Sequence, residues 1–211
     1  GLIPGARTRA VMPPVPPSPW PQPPGALKCW TMINPDHSPI DEDDRPDDAS
    51  LGEAPEEERR PLSVRRRSAS RLAAVQTLFQ VWASERPATE VVPSFRNHFL
   101  PTLLTDFDID RIDEDHYTSV VFTVLDRRED IDAMIMPLLK DGWTMDRLSE
   151  VDRSALRAAC IELQSLAHVP VRTVMNEYTA IAETCGGDYA FVNAVLDRLS
   201  RDLRKAEMDA G

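Results

Sequence analysis

Residues 63–207 read as an all-α bundle of about six to seven helices. Apolar residues recur there at three- and four-residue steps. The gaps between the stripes carry Pro, Gly and Asp, which are residues of helix ends. No stretch sustains the apolar–polar alternation of a half-buried strand, and no internal repeat is present.

The first helix is expected over about Val64–Ser84, with Leu72, Val75, Leu78, Phe79 and Trp82 on one face and Pro87 closing it. Val91, Val92, Phe95 and Phe99 suggest a short helix ending before Pro101, followed by the polar connection T-D-F-D-I-D-R-I-D-E-D. Val120, Val124, Ile131, Ile135 and Leu138 form one stripe over about His116–Lys140, kinked or ended by Pro137. Met145 and Leu148 add a single turn. Asp152 is expected to cap the next helix, with Val151 and Leu156 as a hydrophobic staple and Leu156, Ala159, Cys160 and Leu163 inward. Pro170 suits a helix start, and Val174, Tyr178, Ile181 and Ala182 line that helix. Gly186 suits its end. Asp188 can cap the last helix, whose stripe is Val192, Val195, Leu196, Leu199 and Leu203.

Composition divides the chain near residue 62. Fourteen of the 19 prolines lie in residues 1–64, with 6 basic and 11 acidic side chains. Such a segment buries too little apolar surface to offset its ordering entropy, so residues 1–62 read as a disordered extension. The first residue is Gly1, and Met32 is a candidate true start, which would make residues 1–31 a misassigned upstream stretch. No apolar run approaches the roughly 20 residues of a membrane helix, and the start lacks a secretory apolar core. Three cysteines without metal or disulfide spacing suggest a reducing cytosol.

Net charge is −11, and residues 65–211 carry 18 basic and 24 acidic side chains. A general nucleic-acid binder is basic, so any RNA site here must be a local patch, and a basic protein partner suits the remaining surface. Phosphate-loop, dinucleotide, zinc-protease and C-x-x-C motifs are all missing from the sequence, and the four histidines stand singly. Asp106, Asp108 and Asp110 imitate the opening of a calcium loop. Arg111 stands where that loop needs Gly, and Tyr117 where it needs a bidentate Glu. No cofactor and no catalytic site are therefore expected.

The candidate patch is Arg65, Arg66, Arg67 and Arg71 at the start of the first helix. Guanidinium forks converging there can bind successive phosphates. The ordinary reading of such a run is a solvated charged face. The helix dipole disfavours cations at a helix start unless an anion arrives, and the upstream Glu56, Glu57 and Glu58 could fold back as an internal competitor.

Four ordered motifs then resemble one bacterial family, NusB. R-R-R-S-A-S-R-L-A-A-V-Q-T-L-F-Q is similar to its arginine-rich opening. L-S-E-V-D-R-S-A-L-R-A-A-C-I-E-L resembles its central signature, V-P-V-R-T-V-M-N-E-Y its V-P-x-x-V-x-I-N-E-A, and F-V-N-A-V-L-D-R its F-V-N-G-V-L-D-K. The resemblance spans about Arg65–Arg204. Ala194 replaces a usual Gly, with the expectation that its methyl widens a close helix contact. Tyr178 replaces a small Ala, Cys185-Gly186 replaces F-G, and the loop before Phe191 is about two residues shorter.

The resemblance implies a cytoplasmic, non-enzymatic antitermination factor. It implies pairing with NusE, a small-subunit ribosomal protein, recognition of boxA RNA, and work within an RNA polymerase antitermination complex on ribosomal RNA operons. A homodimer of the free protein is left open. Carried over by motif, Arg65, Arg66, Arg67 and Arg71 are the RNA contacts. Asp188, Tyr189 and Phe191, in the loop before F-V-N, are further ones, where Tyr189 could stack on a base and Asp188 accept from a base edge. Asp188 reads equally as a helix cap and Phe191 as core. Asn176, Glu177 and Asn193 read as interhelical hydrogen-bonding groups. Two alternatives stand beside this reading. One is the NusB-like domain of an rRNA cytosine methyltransferase, for which a chain ending at Gly211 leaves no room. The other is a protein-interaction module without RNA binding.

Overall fold

A computed structural model describes residues 60–140 and 142–209. Within them the chain is all-α: α1 (Leu62–Ala83), α2 (Ala88–His98), α3 (Leu100–Asp106), α4 (Glu114–Asp126), α5 (Arg128–Ile135), α6 (Glu150–Ser165), α7 (Val171–Thr184), α8 (Tyr189–Leu203) and α9 (Lys205–Asp209). Single 3₁₀ turns stand at Met136–Leu138 and Met145–Arg147. The expectations for residues 1–59, including the fold-back of Glu56–Glu58, lie outside the described residues.

Helix α6 is the axis of the bundle and packs against α1, α4, α5, α7 and α8. Its small residues make this feasible. Ala155, Ala158, Ala159 and Cys160 are fully buried, as are Ala69, Ala73 and Ala74 on α1, so the two backbones approach closely. Burial pushes the Cys160 thiol up to about 12, which suits a core residue and not a nucleophile.

One polar cluster is built into this interior. Arg71 on α1 is 2% exposed and Glu162 on α6 is 0% exposed. The Arg71 Nε donates to both carboxylate oxygens of Glu162, at 3.1 and 3.0 Å, and a second guanidinium nitrogen lies 2.5 Å from Oε1. The Tyr178 hydroxyl on α7 donates to Glu162 Oε2 at 2.9 Å. His116 Nε2 on α4 is 3.1 Å from the same oxygen, within ion-pair reach but off the direction of a hydrogen bond. Four helices therefore meet on one carboxylate. The phenol of Tyr178 occupies the space that a small residue would leave and returns a donor to Glu162.

Several boundaries differ from expectation for identifiable reasons. Ser149, not Asp152, caps α6. Its Oγ accepts from the Asp152 amide at 3.1 Å and donates to the Asp152 carboxylate at 2.7 Å, so Asp152 sits inside the first turn and Val151–Leu156 is not the staple. The long stripe over 116–140 breaks at Arg127 into two helices, and the second ends at Ile135, just ahead of Pro137 as expected. The break keeps the stripe in phase, so periodicity alone does not register it. Helix α2 ends at His98, ahead of Pro101 as expected, and Pro101 stands in the first turn of a further short helix, α3, which had not been expected. Ala194 is exposed, so its methyl widens no helix contact. Asn176 is also exposed, while Glu177 accepts from Arg60 at 3.2 Å and lies 3.6 Å from Arg71.

Removing one partner of the buried pair leaves an uncompensated charge. Glu162→Ala or Arg71→Ala should each lower stability by about 3–5 kcal/mol, read by chemical denaturation. Burial pushes the Glu162 carboxyl up, but His116 and Arg71 outweigh it and hold the group at about 2, against 4.5 ordinarily. A carboxylate whose folded value is depressed stabilises fully above its unfolded value, and that stabilisation is lost as pH falls from there through the folded value. Melting temperature should therefore fall between about pH 4.5 and pH 2, and Glu162→Gln should flatten that part of the profile.

Candidate nucleic-acid interface

The N-terminal turns of α1 lie beside the start of α4 and the start of α7. Ser70 stitches the first junction, its Oγ accepting from the Asp113 amide at 2.8 Å and lying 3.0 Å from the Asp113 carbonyl. Asp113 caps α4, with Oδ1 accepting from the His116 amide at 3.2 Å. The residues leading into that cap, 107–113, consequently run across the arginines of α1.

The three consecutive arginines each meet an acidic residue of this segment. Arg65 donates to the carbonyls of Phe107 and Asp108, at 3.0 and 2.7 Å, and to the Asp108 carboxylate at 3.2 Å. Arg66 Nε donates to Asp110 Oδ1 at 3.1 Å. Arg67 donates twice to Asp113 Oδ2, at 3.1 and 2.9 Å, and lies 3.4 Å from His168 Nε2. The hydrogen bond from Arg66 holds the Asp110 carboxyl below its usual range. Burial raises the Asp113 carboxyl, but Arg67 and the His116 amide overcome it, so that group too lies below its usual range.

Arg66, Arg67, Arg111, Asp113, His168 and Thr173 line part of an open cleft of about 730 Å³ between α1, the α4 start and the α7 start. Arg111 is exposed and forms no ion pair with any described residue. Its place in the sequence marked it only as the position where a calcium loop fails. Nothing but the fold reveals that it faces the arginines of α1.

Arg71 is the correction. It stands one turn beyond Arg67, but its side chain is 2% exposed and pairs with Glu162, so it lies at the buried floor of the cleft with its charge already met by a carboxylate. The helix turns inward there, as the buried Ser70, Ala73 and Ala74 around it show.

The second set of sequence candidates lies elsewhere. Asp188 caps α8, its Oδ1 accepting from the Phe191 amide at 2.9 Å, and its own amide donates to Asp152 Oδ1 at 2.9 Å. Tyr189 is exposed, and Phe191 is half-buried against Trp143 with ring centroids 5.8 Å apart. The Arg147 guanidinium lies 5.4 Å from the Trp143 ring centre. Trp143 and Arg147 had drawn no functional expectation, although an unpatterned Trp beside a loop glycine is a usable signal. Arg67 sits at the α7 start and Asp188 follows the α7 end, so the two sets are separated by roughly 20 Å, the rise of its 14 residues at about 1.5 Å each. They form two patches. Among the described residues no group of His, Cys, Asp or Glu could hold a metal ion, and no helix is long and apolar enough to cross a membrane.

The NusB family profile matches residues 68–201, which covers the arginine-bearing helix, the Glu162 helix and both later motifs. The chain belongs to the NusB family. Relatives agree. The transcription antitermination protein NusB of Sphingopyxis alaskensis is 36% identical over 141 residues, 66% of this chain and 95% of that protein. Its counterpart in Maricaulis maris is 35% identical over 157 residues, 74% of this chain and 96% of that protein. T. maritima NusB superposes with a TM-score of 0.55 at 25% identity, over 69% of this chain and 96% of its own. A chain of the structure described as "Crystal Structure of a Plectonemic RNA Supercoil" gives 0.54 at 25% identity, over 70% and 99%.

The Asp188 loop depends on Gly187. A Cβ there would lie 2.3 Å from Asp152 Oδ1 and 3.1 Å from the Ala182 carbonyl. Asp152 is buried and already pinned by Ser149 and the Asp188 amide, so it has little room to yield. Gly187→Ala should cost about 1–3 kcal/mol in thermal or chemical denaturation, and a crystal structure of the variant should show the Asp152–Asp188 bond broken.

Proposed function

We propose that this chain is a cytoplasmic, non-enzymatic transcription antitermination factor. It binds single-stranded boxA-type RNA together with the ribosomal protein NusE, within an RNA polymerase antitermination complex that supports ribosomal RNA operons. The observation that carries the reading is the convergence of Arg66, Arg67 and Arg111 on one open cleft, beside Asp113, Glu114, Asp115 and Glu177, on an otherwise acidic body. A local patch of this kind suits phosphate without general nucleic-acid affinity. The relatives named as transcription antitermination proteins, aligned over nearly their whole length, support the same assignment.

The roles divide by chemistry. Arg66 and Arg67 offer forked donors to phosphates, while Arg65 is held largely by backbone carbonyls and serves the loop. At the other patch, exposed Tyr189 supplies a stacking face, and Phe191 packs on Trp143 beside it in sequence. Asp188 is committed to capping through Oδ1 and retains its other oxygen for a base-edge donor. The acidic remainder of the surface suits a basic ribosomal protein.

Anisotropy of labelled boxA RNA, titrated with protein in the presence and absence of NusE, tests this directly. Binding should be weak alone and strengthened by NusE. For single strands the log affinity falls by roughly 0.7 per phosphate contact with log salt, so Arg66→Ala and Arg67→Ala should each reduce the slope by about that amount. No association with RNA, even with NusE supplied, would end the proposal.

A further inference from the structure

The acidic segment across the arginines has a functional meaning that rests on the RNA reading above. We propose that the cleft is an exchange site: Asp110 and Asp113 stand in for phosphates on Arg66 and Arg67 in the free protein, and Arg111 is the phosphate ligand that an incoming single strand meets first.

The pairing is one to one and graded in how easily it yields. Arg65 is the fixed member, with two carbonyl partners besides its carboxylate. Arg66 is different. It bonds a single oxygen of Asp110, and the two side chains are 22% and 64% exposed. Exposed ion pairs of this kind contribute little to stability, so a phosphate can displace the carboxylate cheaply. Arg67 is intermediate. Asp113 is held by its capping bond through Oδ1 and offers only Oδ2 to the guanidinium. Exchange at this position therefore moves Arg67 and leaves the α4 cap intact.

Arg111 follows Asp110 directly and lines the same cleft. It is exposed and has no ion pair with a described residue, so its charge acts outward without first losing a carboxylate. Its charge favours ionised Asp110, but without a contact between them. A strand drawn in by Arg111 then meets Arg66 beside it. A phosphate there replaces a carboxylate on the same donor fork. The internal anions also answer why an acidic protein keeps three arginines in the first turns of a helix, where the dipole disfavours cations.

The test uses the full chain with NusE and labelled single-stranded boxA RNA at low salt. Asp110→Asn should tighten binding by up to about fivefold, the upper worth of an exposed pair. That gain should vanish in the Arg66→Ala background, because nothing remains to be released. Arg111→Ala should weaken binding and reduce the salt slope by roughly 0.7. Glu129→Gln, in the first turn of α5 and exposed, changes net charge equally and controls for long-range effects. Equal tightening by Glu129→Gln, tightening by Asp110→Asn that survives Arg66→Ala, or no effect of Asp110→Asn would each overturn the exchange, and an unchanged slope in Arg111→Ala would remove that ligand. In all these outcomes the wild type still binds, so the RNA reading stands. If neither wild type nor any variant binds, the RNA reading falls and this inference with it.

Discussion

One buried carboxylate organises this protein. Glu162 receives Arg71 from α1 and Tyr178 from α7, with His116 of α4 beside it, so the relative positions of four helices are fixed at a single point. Desolvating a lone carboxylate in an apolar interior is expensive, and only the converging donors make it tolerable. The geometry is therefore strict. An apolar contact can slide along a helix face, whereas the Arg71 fork meets both oxygens of Glu162 in one register. That register decides which residues of α1 face out. With Arg71 turned inward, Arg65, Arg66 and Arg67, one turn and more earlier, emerge at the junction of α1, α4 and α7, where the cleft lies.

The same point explains how much of the site could be read in the sequence. The helical class and most inward stripes were legible, since periodicity reports burial: Leu156, Ala159, Cys160 and Leu163 are all inside. The arginine run was legible as a patch. What periodicity could not show was that its fourth member belongs to the core. Arg67 and Arg71 are four residues apart and share a face by rule. Yet the face rotates from cleft to interior within that turn as α1 passes under α4. A signal was present at the other end of the pair, an isolated Glu162 within the apolar run of α6, because a carboxylate on a buried stripe requires a cation.

Local chemistry was less legible than burial. Ser149 and Asp152 are both good caps, three residues apart, and each makes the bond that the other motif would need. The choice between them depends on Asp188, whose amide takes the Asp152 oxygen from a distance of 36 residues. Likewise the segment 106–113 looks like a solvated acidic loop in isolation. Its aspartates acquire a role only because the α4 cap draws them over the arginines. In both cases the deciding partner is remote in sequence, which a reading of spacing cannot supply.

The two patches stand at opposite ends of α7, and they differ in chemistry. The arginine cleft offers charge, which binds phosphate irrespective of base. The loop before α8 offers an aromatic face and a carboxylate oxygen, which can act on a base but give little attraction. Neither alone gives both affinity and selection. On the proposed RNA reading, a single strand long enough to span α7 would engage both, and each end would then raise the effective concentration of the other. That arrangement also accounts for an acidic body. On that reading the net negative charge of the chain disfavours a strand held at one end only, so the charge balance that weakens binding overall sharpens the requirement that both ends fit.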